Sequence, residues 1–258
     1  MRRGARAPGG RRGLGPRSDA KTNPTAYGIS GWTTARRLLT ASNAGLPGTL
    51  NTAFWRECVL RIDSQAVASA SRFLASYFTG GTGWRLTTSG TNGSLQFDVI
   101  DAGVVVRAAP VYTIAAGAVG KLIVAYGWWD GSDVRLAVNG VEVGTGTACA
   151  TYAAPGSSQT VLGQRSIGTA AADGVTILGL RGGDGAKTAA DALSSFQAWL
   201  AVSRLTASGA ARAWCVGTSQ AGAAPNPLPD LAAVDNMTWS DGVTTGHALE
   251  TIAAPGYA

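Results

Sequence analysis

Short runs rich in β-branched and aromatic residues begin at Phe54 and recur as far as Ser203, divided by clusters of Gly, Asn, Asp and Ser. That punctuation belongs to strands joined by tight turns, not to long amphipathic helices. It predicts strands over 54–62, 72–78, 84–88, 94–100, 103–108, 121–129, 133–139, 141–144, 160–164, 175–180 and 196–203. The sharpest signal is DVRLAVNGVEVG, residues 133–144, in which Val134, Leu136 and Val138 alternate with Asp133, Arg135 and Ala137. One face of that strand is apolar, and Asn139 with Gly140 supplies the two positive-φ positions of a type I′ hairpin turn. Leu95, Phe97 and Val99 likewise share a face, with Gln96 and Asp98 on the other, as in a sheet with one buried side. After the last strand, RLTASGAARAW (204–214) reads as a short helix capped by Thr206 or Ser208.

The expected fold class is all-β: an antiparallel β-sandwich over 54–216, with an extended N-terminal arm and a C-terminal strap. Composition agrees, because 45% hydrophobic residues, 14% charged residues and 36 glycines suit many short strands. The net charge of +6 looks like a nucleic-acid signal until it is mapped. Residues 1–21 hold Arg2, Arg3, Arg6, Arg11, Arg12, Arg17 and Lys21 against the single acid Asp19. Basic and acidic groups balance over 22–258, so the sandwich offers a polyanion no net field, and nucleic acid is not an expected partner.

Residues 1–24 bury too little apolar surface to offset the entropy of ordering. They read as a flexible basic arm: a solvated tail, an arm ordered against a partner subunit, or a nucleic-acid contact. Residues 25–53 read as a lead-in segment, and 217–258 as a Pro/Gly-rich extension lying along the sandwich. The arm lacks the apolar core of a secretory signal, and no apolar run reaches the ~18 residues of a membrane span, so a membrane partner is not expected. Cys58, Cys149 and Cys215 are odd in number and far apart, which reads as buried thiols rather than a zinc site or disulfide framework.

Four stretches carry a resemblance to the laminin-G-like branch of the concanavalin A-like lectin and glucanase superfamily. FWRECVLR (54–61) resembles the family's opening strand, and GWRLTTSGTNGSLQFDV (83–99) its hairpin with a glycine-flanked aromatic. KLIVAYGWWDGSDVRLAVNGVEVGTG (121–146) looks like its central aromatic-Asp-Gly and Asn-Gly stretch, and FQAWLAVSRLTASGAARAW (196–214) like its closing strand and short helix. The resemblance implies a jelly-roll topology. It gives no place to VTILGLRGGDG (175–185) or to the two terminal segments.

The family's glycan-cleaving members resemble one another in a strand motif Glu-x-Asp-x-x-Glu, which is absent here. Glu57, Glu142 and Glu250 are isolated, and Asp98 and Asp101 are oddly spaced, so a paired general acid and base is not expected. His247, the single histidine, lies in the C-terminal segment without a nucleophile-elbow pattern nearby. The resemblance raises calcium as a ligand for Asp98, Asp101, Asp130 and Asp133, but acids beside turns without a calcium-loop motif more often bond the local backbone. No cofactor is expected. Trp84, Trp128 and Trp129 are the candidate glycan platform, since an exposed ring stacks on the apolar face of a sugar; the alternative for Trp128 and Trp129 is burial of both by a loop or a neighbouring subunit. Adjacent strand residues point to opposite faces, so one of Trp128 and Trp129 faces outward.

The expected function is a non-catalytic structural or adhesion protein of a virion or phage-tail-like particle. In that reading the sandwich decorates the surface or recognises a host glycan, and the basic arm (Arg2, Arg3, Arg6, Arg11, Arg12 and Arg17) joins other subunits or a homo-oligomer. The alternatives are a free carbohydrate-binding lectin module and a divergent glycan hydrolase. Location on a virion or extracellular particle surface follows from a fold used outside cells in a chain showing no signal peptide.

Overall fold

In a computed structural model of the chain, the described residues are 26–258 apart from 34, 42–43, 47, 49–51, 65–71, 90–92, 157, 165–170, 203–208, 216–236, 240–248 and 253–256. The strands in chain order are β1 (Ala26–Ile29), β2 (Leu38–Leu39), β3 (Phe54–Ile62), β4 (Arg72–Thr79), β5 (Thr82–Ser89), β6 (Ser94–Ile100), β7 (Val106–Ala108), β8 (Tyr112–Thr113), β9 (Leu122–Trp129), β10 (Asp133–Val138), β11 (Val141–Glu142), β12 (Thr147–Ala148), β13 (Thr160–Leu162), β14 (Val175–Asp184), β15 (Arg212–Cys215), β16 (Thr238–Trp239) and β17 (Leu249–Ile252). An α-helix, α1 (Ala189–Val202), lies between β14 and β15.

Sheet A has the order β11-β10-β9-β3-β14-β1-β17, with β12 beside β10 and β15 beside β14; sheet B runs β16-β2-β13-β4-β5-β6-β7, with β8 beside β6. Neighbouring strands are antiparallel throughout. The sheets pack face to face over one apolar core that includes Phe54, Leu60, Trp84, Phe97, Trp129, Leu136 and Ile177. This is the antiparallel sandwich that the strand pattern predicts, with alternate residues of each strand directed into the core.

Local chemistry explains the register. Asn139 and Gly140 take φ of 51° and 78°, and the β10–β11 hairpin turns on them as the sequence requires. Gly127 of β9 is needed for close packing, because a Cβ there would lie 2.3 Å from the Phe97 ring of the opposite sheet.

Three expectations are corrected. Residues 196–202 are not a strand: they belong to α1, in which Ala192, Ser195 and Trp199 recur at helical spacing and are buried. Its start is fixed by a reciprocal cap. Asp191 Oδ2 accepts from the Thr188 amide (2.9 Å) and hydroxyl (2.8 Å), and Thr188 Oγ1 accepts from the Asp191 amide (3.4 Å). The helix expected over 204–214 gives way to β15 at its end, while 203–208 lie outside the described residues.

The segment without a place in the resemblance, 175–185, is the second correction. As β14 it pairs with β3 along Phe54–Ile62 on one side and with β1 and β15 on the other. The third concerns boundaries. β1 and β2 come from the lead-in, and β16 and β17 from the C-terminal extension, so the sandwich reaches beyond 54–216 at both ends. Tyr257 adds a bridge to Leu122 at the base of β9. No helix among the described residues is long and apolar enough to cross a membrane.

Candidate functional site

The three tryptophans expected to form a glycan platform are all interior. Trp84 (0% exposed) and Trp129 (1%) point into the core, where each indole N–H reaches a backbone carbonyl: Leu46 O at 2.6 Å and Cys149 O at 2.7 Å. These bonds tie Leu46 and Cys149 to the core, because a buried indole donor requires an acceptor. Trp128 does face the other way, as alternation demands, but it is 1% exposed. It packs on that face with Tyr126, Ala137 and Ala192 of α1. Trp128 is buried because α1 covers the outer face of sheet A. The arm arginines Arg2, Arg3, Arg6, Arg11, Arg12 and Arg17, and His247, lie outside the described residues.

The first cleft opens between α1 and sheet A, a cavity of about 350 Å³. Strand register builds its floor: Trp55 of β3 sits opposite Trp128 of β9 and Gly183 of β14, and Glu57 opposite Tyr126 and Arg181. The Trp55 and Tyr126 rings stack with centroids 5.4 Å apart and planes 3° from parallel. Arg181 and Lys187 each place their cation 5.7 Å from the centre of the Trp55 ring.

Beneath these rings is a buried polar triad. Arg181 Nε donates to Glu57 Oε2 at 2.6 Å, and Arg181 Nη2 donates to Ser195 Oγ at 2.5 Å. The Ser195 hydroxyl lies 2.8 Å from the Glu57 carboxylate and donates to it. Burial pushes the Tyr126 phenol up, and the charges of Glu57 and Asp191 add to that. The N-terminal end of α1 brings Ser194 and Asp191 to the cavity wall, the latter 3.5 Å from the Lys187 ammonium. Trp55 Nε1 is the exception to this pairing: it is buried and has no hydrogen-bond partner among the described residues.

The second cleft, about 180 Å³, lies on the outer face of sheet B and is lined by Arg72, Phe73, Arg85, Thr87, Thr88, Gln96 and Asp98. Cross-strand neighbours make it: Phe73 opposes Thr87, Thr87 opposes Gln96, and Arg85 opposes Asp98. Arg85 Nε donates to Asp98 Oδ2 at 2.6 Å, and Gln96 Nε2 donates to Asp98 Oδ1 at 2.6 Å. The Arg85 guanidinium lies 5.7 Å from the Phe73 ring centre and 5.4 Å from that of Phe78. Burial raises the Asp98 carboxyl above its ordinary range, against the opposing pull of the Arg85 charge and the two hydrogen bonds.

The acids considered as calcium ligands do not converge. Asp101 pairs with Arg107 and accepts from the Val105 amide at 2.9 Å. Asp130 accepts from the amides of Ser132 and Asp133, and with Asp133 it pairs with Arg135. Among the described residues no group of three or more His, Cys, Asp or Glu side chains is placed to hold a metal ion. Cys58, Cys149 and Cys215 are buried free thiols, and burial pushes the Cys149 thiol up to about 11.

Sequence reasoning missed Trp55, Tyr126, Arg181 and Arg72. A signal for the first two was present: FWRECVLRI and LIVAYGWW carry large or apolar residues at odd and even positions alike, as strands covered on both faces do. Arg181 was out of reach, because it lies on the strand that the resemblance left without a place.

No protein-family model and no curated protein sequence matches the chain. Solved structures do. A protein from Bacteroides ovatus ATCC 8483, provisionally described as a carbohydrate binding protein, superposes with a TM-score of 0.62 at 16% identity over 91% of this chain. The receptor binding domain of botulinum neurotoxin D superposes with a TM-score of 0.53 at 9% identity over 67% of this chain. The chain spans 62% of the length of the first and 44% of the second. With two antiparallel sheets packed face to face and these neighbours, the chain has a jelly-roll β-sandwich fold.

Proposed function

We propose that the protein is a non-catalytic glycan-binding sandwich whose sugar subsite is the cavity under α1. The observation that carries this reading is the Trp55 indole N–H, buried in the cavity wall with no acceptor among the described residues. A buried donor left so costs about 1–3 kcal/mol, a cost that a ligand hydroxyl removes. Beside it, Ser194, Lys187 and Asp191 offer the mixture of donors and acceptors that sugar hydroxyls use. The fold likeness to a protein provisionally described as carbohydrate binding supports the reading. Hydrolysis does not fit the carboxylates, since Glu57 is bonded to Arg181 and Ser195, and Asp191 caps α1.

A glycan array followed by calorimetric titration of its best ligand tests this. Trp55→Phe keeps an aromatic ring and removes the N–H; affinity should fall about tenfold, corresponding to ~1.4 kcal/mol. A blank array with folded protein, or unchanged affinity in Trp55→Phe, overturns the reading.

The setting is part of the proposal: a laminin-G-like sandwich on the surface of a virion or phage-tail-like particle, joined to other subunits through its arm. It is supported by the quoted motifs and by a charge of +6 gathered in residues 1–21 beside a neutral remainder. Deleting residues 1–24 should abolish self-association in sedimentation without changing the thermal midpoint. Unchanged association rejects the particle setting and leaves the glycan reading standing.

A further inference from the structure

The cleft on sheet B holds two guanidinium groups and one carboxylate. Arg85 commits its Nε to Asp98. Arg72, at the start of β4, makes no side-chain hydrogen bond or ion pair among the described residues, and its Nε is buried without a partner. Local charge is therefore positive in a molecule whose folded part is neutral, and the excess sits in a concavity rather than on an open surface. An unpaired arginine beside a second one whose terminal nitrogens are not consumed by Asp98 presents the fork geometry that oxyanions fit. Phe73 adds an apolar wall, and Thr87 with the free carbonyl of Gln96 adds a hydroxyl and an acceptor.

We propose that this cleft binds the anionic substituent of an acidic sugar, a uronate carboxylate or a sulfate ester, between Arg72 and Arg85. It is a second site, on the opposite sheet from the cavity under α1. That the anion is borne by a sugar rests on the glycan reading above; the preference for an anion does not.

Titration of the full chain with an oligouronate, a sulfated oligosaccharide, a neutral oligosaccharide of equal length, and free acetate or sulfate tests this. One or both acidic oligosaccharides should bind at least tenfold tighter than the neutral one, and the advantage should shrink as salt rises. Arg72→Gln should remove that advantage with an unchanged thermal midpoint, since the side chain makes no bond that the fold needs, and Arg72→Lys should keep part of it. Trp55→Phe should leave the acidic advantage intact. Equal binding of acidic and neutral sugars, or an acidic advantage that survives Arg72→Gln, overturns the proposal while leaving the Trp55 cavity untouched. Free acetate or sulfate binding as tightly as the oligosaccharides overturns the assignment to a sugar. An Arg72-dependent acidic advantage in a protein whose neutral-sugar binding ignores Trp55→Phe upholds this cleft and removes the cavity under α1.

Discussion

On the outer face of sheet A, Arg181 lies against the Trp55 ring and donates to Glu57 at 2.6 Å; on the outer face of sheet B, Arg85 lies between Phe73 and Phe78 and donates to Asp98 at the same distance. The parts are alike and the surroundings are not. α1 closes over the first pair and contributes Ser195, so Glu57 is fully buried and the Arg181 side chain only 9% exposed. Among the described residues no helix covers the second pair, and Arg85 keeps 23% of its side-chain surface. A covered ion pair must satisfy its remaining donors and acceptors from within the protein, and here the helix supplies them. An ion pair at a cleft leaves donors over. The same arginine, acid and aromatic grouping is thus satisfied from within the protein on one sheet and leaves donors over on the other.

Removing one partner of the covered pair is the severest way to break this comparison. Glu57→Ala leaves the Arg181 charge buried beside Ser195 and Trp55, and should lower unfolding free energy by about 3–5 kcal/mol in guanidinium denaturation. A loss under about 1 kcal/mol would mean that water reaches Arg181 despite α1. Arg85→Ala removes the matching arginine from sheet B. Asp98 retains Gln96, and the lost partner was partly solvated, so the cost should be smaller, about 2 kcal/mol. Equal losses in the two variants would show that the cover provided by α1 has no energetic consequence.

The strands of both sheets were legible in the sequence, and the helix that covers one face of sheet A was not. Strands β3, β6 and β9 were readable because their apolar positions are dense and Gly, Asn or Asp lies at their ends. Alternation placed Leu95, Phe97 and Val99 inward and Gln96 outward. Sheet A needed α1, and Phe196 and Trp199 gave that segment the aromatic content of a strand. The Thr188-x-x-Asp191 cap and the alanines behind it were the better signal. The burial of Trp84 and Trp129 rests on acceptors, Leu46 O and Cys149 O, that come from segments without strand periodicity, and that of Trp128 on α1. Arg72 was invisible for a different reason: that an arginine lacks a partner is a property of the whole neighbourhood.

The cap sharpens the comparison at lower cost. Thr188→Ala removes the hydroxyl from the start of α1, and should destabilise the protein by about 1 kcal/mol. Because α1 covers sheet A alone, hydrogen exchange should quicken in α1 and in the Trp55 and Tyr126 amides while β5 and β6 keep their rates. Uniform acceleration across both sheets would mean that α1 unfolds only with the whole molecule.

The smallest effect, and the one that separates the two faces by sign, is in their acids. Burial holds the Asp98 carboxyl above its ordinary 3.8, and Arg85 and Gln96 offset only part of that. Its contribution to stability is therefore complete below pH 3.8 and is lost as pH rises through its folded value. Asp191, on α1, is opposed by partial burial, but the hydroxyl and amide of Thr188 and the nearby Lys187 win and hold it below 3.8. Its contribution is present above 3.8 and is lost as pH falls through the depressed value. Unfolding free energies measured from about pH 3 to 7 for the wild type, Asp98→Asn and Asp191→Asn isolate the two. With rising pH the wild type should lose ground to Asp98→Asn and gain ground on Asp191→Asn. Slopes of the same sign would show that Asp98 ionises as freely as a surface acid, and that its ion pair with Arg85 is no more desolvated than the cap of α1.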